Sequence, residues 1–126
     1  MTEKQEIGKL GENLAVNYLS KQGYRILEQN FKQLPWGEID IIAKKDNYLV
    51  FVEVKTITDD FENSTFLVEN KIDRHKKRAL NRIIQIYISQ HKLPLDIWWQ
   101  ADALIIKIDF EKRKFTLKHI ENIFYK

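Results

Sequence analysis

The first apolar series in the chain, Ile7, Leu10, Leu14, Ala15, Tyr18 and Leu19, is spaced so that a 3.6-residue helix gathers all six on one stripe. Gly23 follows as its stop. Gly8 and Gly11 fall beside the stripe, where a missing side chain lets another backbone come close, so both are expected to be packing positions. From Tyr24 the period changes to two. Strand-like segments run Tyr24–Lys32, Glu38–Ala43, Tyr48–Thr56 and Trp98–Phe110, with Phe115–Ile120 as a weaker fifth. The connections Leu34-Pro35-Trp36-Gly37 and Lys45-Asp46-Asn47 are short enough to make the first three strands antiparallel neighbours. A second helix is marked by Leu80, Ile83, Ile84, Tyr87 and Ile88 and closed by His91-Lys92-Leu93-Pro94. Ahead of it, the acidic stretch Asp59–Glu69 reads as a mobile loop placed to gate a site. This order, without repeat or linker, predicts a single α/β domain over residues 1–126, a central mixed β-sheet flanked by helices.

Alternation then sorts the charged residues. Glu38 and Asp40 share one face of the second strand, while Ile39, Ile41 and Ala43 are expected on the other. In the third strand Leu49, Phe51, Glu53 and Lys55 form one face and Val50, Val52 and Val54 the opposite one. A strand this apolar is buried, and a carboxylate and an ammonium at its end need a partner, an ion or a function to offset desolvation. Phosphodiester hydrolysis uses such a set: carboxylates to hold a hard cation, and an ammonium to orient water and offset charge developing on phosphate. The Val54 carbonyl is available to complete the coordination. The plainer alternative is that Asp40, Glu53 and Lys55 balance one another in a half-exposed sheet.

Composition narrows the classes. With no cysteine there is no disulfide framework, thiolate nucleophile, Cys-based zinc site or iron–sulfur cluster. The N-terminus is charged where a secretory signal would be apolar, and no apolar run approaches the ~20 residues that span a bilayer, so a cytoplasmic protein with no membrane association is expected. The net charge is only +3. It is concentrated on residues 71–82, where Lys71, Arg74, Lys76, Lys77, Arg78 and Arg82 face a single Asp73. Such a segment is either a solvated helix face or a surface for nucleic-acid phosphates, and no base-reading motif accompanies it. Trp36, in the turn before Glu38, is read as a cap over the core, with base stacking as its other use. Trp98 and Trp99 take opposite faces if extended, so at least one is expected to be buried or in an interface. His75, His91 and His119 lack zinc-site spacing, and the serines lack a nucleophile context.

The segments IGKLGENLAVNYL, YRILEQNFK and GEIDIIAKKDNYLVFVEVKT, with the basic helix 71–90, resemble the YraN-like family of bacterial proteins over roughly residues 7–109. That family in turn is similar to archaeal Holliday-junction resolvases and belongs to the PD-(D/E)XK nuclease-like superfamily. The resemblance implies a restriction-endonuclease-like core and a Mg²⁺- or Mn²⁺-dependent endonuclease hydrolysing DNA, with branched DNA as the substrate its resolvase relatives suggest and a homodimer as their working form. Carried over by position, Asp40 and Glu53 match the metal-binding carboxylates, Lys55 the catalytic lysine, and Glu12 the acidic residue on the first helix of resolvase-like members. The chain departs from the usual pattern after the lysine, where Thr56-Ile57 replaces an arginine, and at Gln100-Ala101-Asp102, where Arg-Phe-Asp is common. Two readings from other classes stand beside the enzyme: a non-catalytic nucleic-acid-binding module with the same fold, and a protein-partner-binding domain whose acidic residues form a salt-bridge network.

Overall fold

The computed structural model describes residues 2–58 and 74–125. Helix α1 (Glu3–Lys21) opens on a reciprocal cap: the Thr2 side chain accepts from the Gln5 N–H at 3.2 Å, and the Thr2 N–H donates to Gln5 Oε1 at 2.9 Å. Glu3 and Glu6 in the first turn suit the positive end of the helix dipole. The helix is left through Gly23 at φ +90, and the Tyr24 N–H turns back to the Leu19 carbonyl at 2.9 Å.

Strands β1 (Arg25–Gln33), β2 (Gly37–Lys45) and β3 (Tyr48–Thr58) form an antiparallel meander. Helix α2 (Arg74–Gln90) then carries the chain over to β4 (Trp99–Asp109), which pairs parallel to β3 from Leu49↔Trp99 to Thr58↔Ile108. Strand β5 (Lys114–Ile120) returns antiparallel on β4, and a 3₁₀ turn (Ile123–Tyr125) ends the described chain. The result is an open five-stranded mixed sheet in the order β1-β2-β3-β4-β5. Every expected element forms, with strand boundaries within two residues of those read from the alternation. The Asp59–Glu69 stretch and Lys71 lie outside the described residues, as does the side chain of Arg74.

Each helix covers one face of the sheet. On the α2 side, Leu80, Ile83, Ile84, Tyr87 and Ile88 bury against Phe31, Ile39, Leu49, Phe51 and Ala101. On the α1 side, Ala15 and Leu19 bury against Ile41, Ala43, Val50, Val52, Leu104 and Ile106. The two faces of β3 are therefore the expected ones. Strand β2 is a correction: Ile39 packs on the α2 side while Ile41 and Ala43 pack on the α1 side, so the alternation slips by one between them. The slip lies where the ladder to β3 begins, at Ile41↔Val52.

The glycines of α1 also divide. Gly11 is buried against Thr56 of β3, whose side chain occupies the space a Cβ would need. Among the described residues, nothing lies within 4 Å of a Cβ added at Gly8, so none of them makes it a packing position. The absence of a side chain at Gly11 lets α1 approach β3, and this approach sets the position of the next residue, Glu12.

Candidate metal and nucleic-acid site

Where β2 parts from β3, the side chain of Asp40 takes over from the backbone: its Oδ2 accepts the Val54 N–H at 2.8 Å. Glu12 of α1 acts on Asp40 through its charge, and the Asn30 side chain of β1 favours the ionised form of Glu12. Asn30 holds a left-handed backbone at φ +54, a conformation asparagine tolerates better than most residues. Glu53 and Glu38 act on Asp40 through space, so four carboxylates from three elements share one field.

Burial and like charge both oppose ionisation of this cluster. Burial is the main cause that pushes the Asp40 carboxyl up to about 7; the charges of Glu12, Glu53 and Glu38 add to it, and the Val54 N–H opposes it. Glu12 is also raised, chiefly by burial and then by Glu38, against the hydrogen bonds from Asn30 and Asp40. The donors are all oxygens, and in an extended strand the Val54 carbonyl lies on the same edge as its N–H. An all-oxygen, carboxylate-rich set fits a hard divalent cation such as Mg²⁺ or Mn²⁺.

The sequence-derived candidates therefore separate. Glu12 and Glu53 both act on Asp40 through their charges, and Val54 is bonded to Asp40. Lys55 is an exposed residue of β3, opposite Ile105 of β4. Among the basic residues, Lys76 pairs with Glu53 at 2.5 Å, joining the basic helix to the carboxylates. Lys77 and Arg78 line a groove with Asn81 and Trp98. Arg82 lies over the Trp36 ring at 5.2 Å. Trp36 is 43% exposed, so it serves as a platform for Arg82 and not as the expected core cap. Trp99 turns inward, edge-on to Phe51 and Phe124, and Trp98 turns outward.

A second polar cluster was not foreseen. Asp102 is fully buried in β4; its Oδ2 accepts from His119 Nε2 at 2.7 Å, and its Oδ1 accepts from the Gln100 side chain and the Asn122 N–H at 2.9 and 3.0 Å. With Nε2 donating, Nδ1 of a neutral His119 accepts the Tyr18 hydroxyl at 2.8 Å. The Tyr18 hydroxyl is raised by burial and then by Glu121 and Asp102, which keeps it protonated and donating. Asp102, His119 and Glu121 bring ligand atoms within 4.8 Å of one another, a group that could hold a metal ion. The sequence signal was Asp102 as the lone charge in the run Ala101–Ile106, together with Gln100 in place of the expected arginine. Among the described residues, no helix is long and apolar enough to cross a membrane.

Comparison with known proteins gives one consistent match. The family described as "Uncharacterised protein family UPF0102" matches residues 11–110. A UPF0102 protein of Caldanaerobacter subterraneus is 39% identical over 120 residues, covering 95% of this chain and 93% of that protein. One from Flavobacterium psychrophilum is 38% identical over 126 residues, covering 99% and 98% of the two chains. One from Dictyoglomus thermophilum is 44% identical over 89 residues, covering 70% and 71%.

Proposed function

For this chain, which belongs to the UPF0102 family, we propose a metal-dependent nuclease that hydrolyses phosphodiester bonds in DNA. The observation that supports it best is Asp40, anchored to the Val54 N–H where β2 leaves β3 and held in the field of the Glu12 and Glu53 carboxylates. Asp40 and Glu53, assisted by Glu12 and the Val54 carbonyl, would hold Mg²⁺ or Mn²⁺. Such a cation supplies charge stabilisation at the phosphate and lowers the pKa of a bound water.

The chain's own residues account for the rest of the reading. Val54 N–H fixes the Asp40 carboxylate in place, so it needs no reordering when substrate arrives. The Asn30 side chain favours the ionised form of Glu12. Lys55, exposed on the same strand as Glu53, is the residue to orient the attacking water and meet the charge that develops on phosphate. Lys76, Lys77, Arg78 and Arg82 on α2 would engage the nucleic-acid backbone, together with Lys71 and Arg74.

The test is cleavage of labelled single-stranded, duplex, flap and four-way-junction DNA in Mg²⁺ and Mn²⁺. Cuts that need metal and vanish in Asp40→Ala, Glu53→Ala and Lys55→Ala proteins are expected; cleavage unchanged in those variants refutes the assignment. A second reading draws on the Lys76–Glu53 pair, in which a protein cation already answers the carboxylate. On that reading the chain is a non-catalytic nucleic-acid-binding module, with salt-sensitive binding and no cuts on any of the four substrates.

A further inference from the structure

The groove between α2 and the start of β4 has a composition that the cleavage chemistry does not use. It encloses about 670 Å³ and is lined by Arg78 and Asn81 of α2, by Asp96 and Trp98 before β4, and by Asn122 and Phe124 near the C-terminus. Trp98 is 71% exposed although its backbone is fixed, its carbonyl accepting the Leu49 N–H at 3.0 Å. Its neighbour Trp99 is anchored edge-on to Phe51 and Phe124 at 6.0 and 5.7 Å between ring centres. The chain thus presents a large indole to solvent on a rigid mount beside a cationic helix. Arg78 lies one turn before Arg82, which covers the exposed Trp36, so a stripe of arginines links two tryptophans.

We propose that this groove binds an unpaired segment of nucleic acid, with a base stacked on Trp98, Arg78 on an adjacent phosphate, and Asn81 and Asn122 offering hydrogen bonds to the base edge. The proposal rests on the nucleic-acid reading above and names the form of substrate that this surface takes. A ring face beside a guanidinium suits a single strand, because every base offers a π-face once it leaves the duplex stack. A duplex keeps those faces covered and meets the groove through phosphates alone. The cavity lies within the ~300–1,000 Å³ of sites that enclose a small molecule, and a base is of that scale. Charge favours the same occupant, since Asp96 is outnumbered by the cations lining the groove with it.

The experiment is fluorescence anisotropy of labelled single-stranded DNA, single-stranded RNA and blunt duplex DNA with the full chain, in EDTA to prevent cleavage. Wild type is expected to prefer single strands. Trp98→Ala is expected to weaken single-strand binding roughly 5- to 100-fold and leave duplex binding nearly unchanged. Trp98→Phe, which keeps an aromatic face, recovers most of the affinity, and unaltered urea unfolding shows that neither variant is misfolded. Arg78→Ala weakens all three and reduces the salt dependence by about one phosphate contact. Equal losses on single strand and duplex, or no loss with Trp98→Ala, overturn the groove. The cleavage reading fails separately: Asp40-dependent cuts indifferent to Trp98 remove only the groove, whereas a Trp98-dependent single-strand preference in a protein that cuts nothing supports the groove and removes the nuclease.

Discussion

Lys76 on α2 and Glu53 on β3 meet in an ion pair at 2.5 Å, so a residue of the basic helix answers a carboxylate of the acidic cluster. The lysine is partly exposed, and a pair of this kind contributes about 0–1 kcal/mol to folding. Lys76→Ala is therefore expected to leave the urea midpoint almost unchanged. Removing the ammonium leaves Glu53 to a divalent cation, so Mn²⁺ binding by calorimetry should tighten roughly two- to fivefold. Unchanged or weaker Mn²⁺ binding would mean that Glu53 does not face the ion.

The contact of Gly11 with Thr56 makes a second prediction, with Gly8 as its control. A methyl group at Gly11 enters the space of the Thr56 side chain, so Gly11→Ala is expected to destabilise by about 1–3 kcal/mol despite alanine's better helix propensity. Thr56→Ala in the same chain should restore part of that loss. Gly8→Ala meets nothing within 4 Å among the described residues and should stabilise by up to ~1 kcal/mol. Urea unfolding of the four proteins decides it: a Gly11→Ala protein as stable as wild type would place α1 further from β3.

The pH dependence of stability follows from Asp40, whose carboxyl is raised from 3.8 to about 7 by burial. Near pH 3 folded and unfolded chains both hold the proton. Between about 4 and 7 the unfolded chain has released it while the folded chain keeps it, so stability falls as pH rises. Above about 7 both are ionised and the full cost of the buried charge is present. The fall amounts to at most roughly 4 kcal/mol, with Glu12 adding in the same direction. In EDTA, the wild-type urea midpoint should drop from pH 4.5 to 7.5 more steeply than that of Asp40→Asn, which carries no charge to bury. Parallel curves for the two proteins would count against a buried, proton-retaining Asp40.

These predictions draw unequally on the sequence. The strands and both helices were legible because their apolar spacing is strict, and the opposed faces of β3 followed from alternation alone. Asp40 and Glu53 were singled out by alternation and burial, which an ordinary charged sheet also satisfies, and the family motif added the weight for a site. The slip between Ile39 and Ile41 was hidden because a strand that leaves one neighbour while keeping another gives no local signal. Gly8 and Gly11 look alike in sequence, and only the approach of Thr56 separates them. Asn30 belongs to the cluster through a left-handed backbone that the residue permits but does not announce.

The hydrogen bond of Tyr18 with His119 joins residues 101 positions apart and had no signature in the sequence. It closes a chain from Tyr18 through His119 to the fully buried Asp102. Removing the imidazole leaves a buried carboxylate short of a partner and the Tyr18 hydroxyl without an acceptor. His119→Ala is accordingly expected to cost about 3 kcal/mol, whereas Tyr18→Phe, which spares the His119–Asp102 bond, should cost about 1 kcal/mol. Asp102→Asn keeps the volume but loses the charge that both the imidazole and the Asn122 N–H address, so an intermediate loss is expected. Urea unfolding at neutral pH orders the three variants, and a Tyr18→Phe loss as large as that of His119→Ala would shift the anchor of this network from the buried carboxylate to the tyrosine.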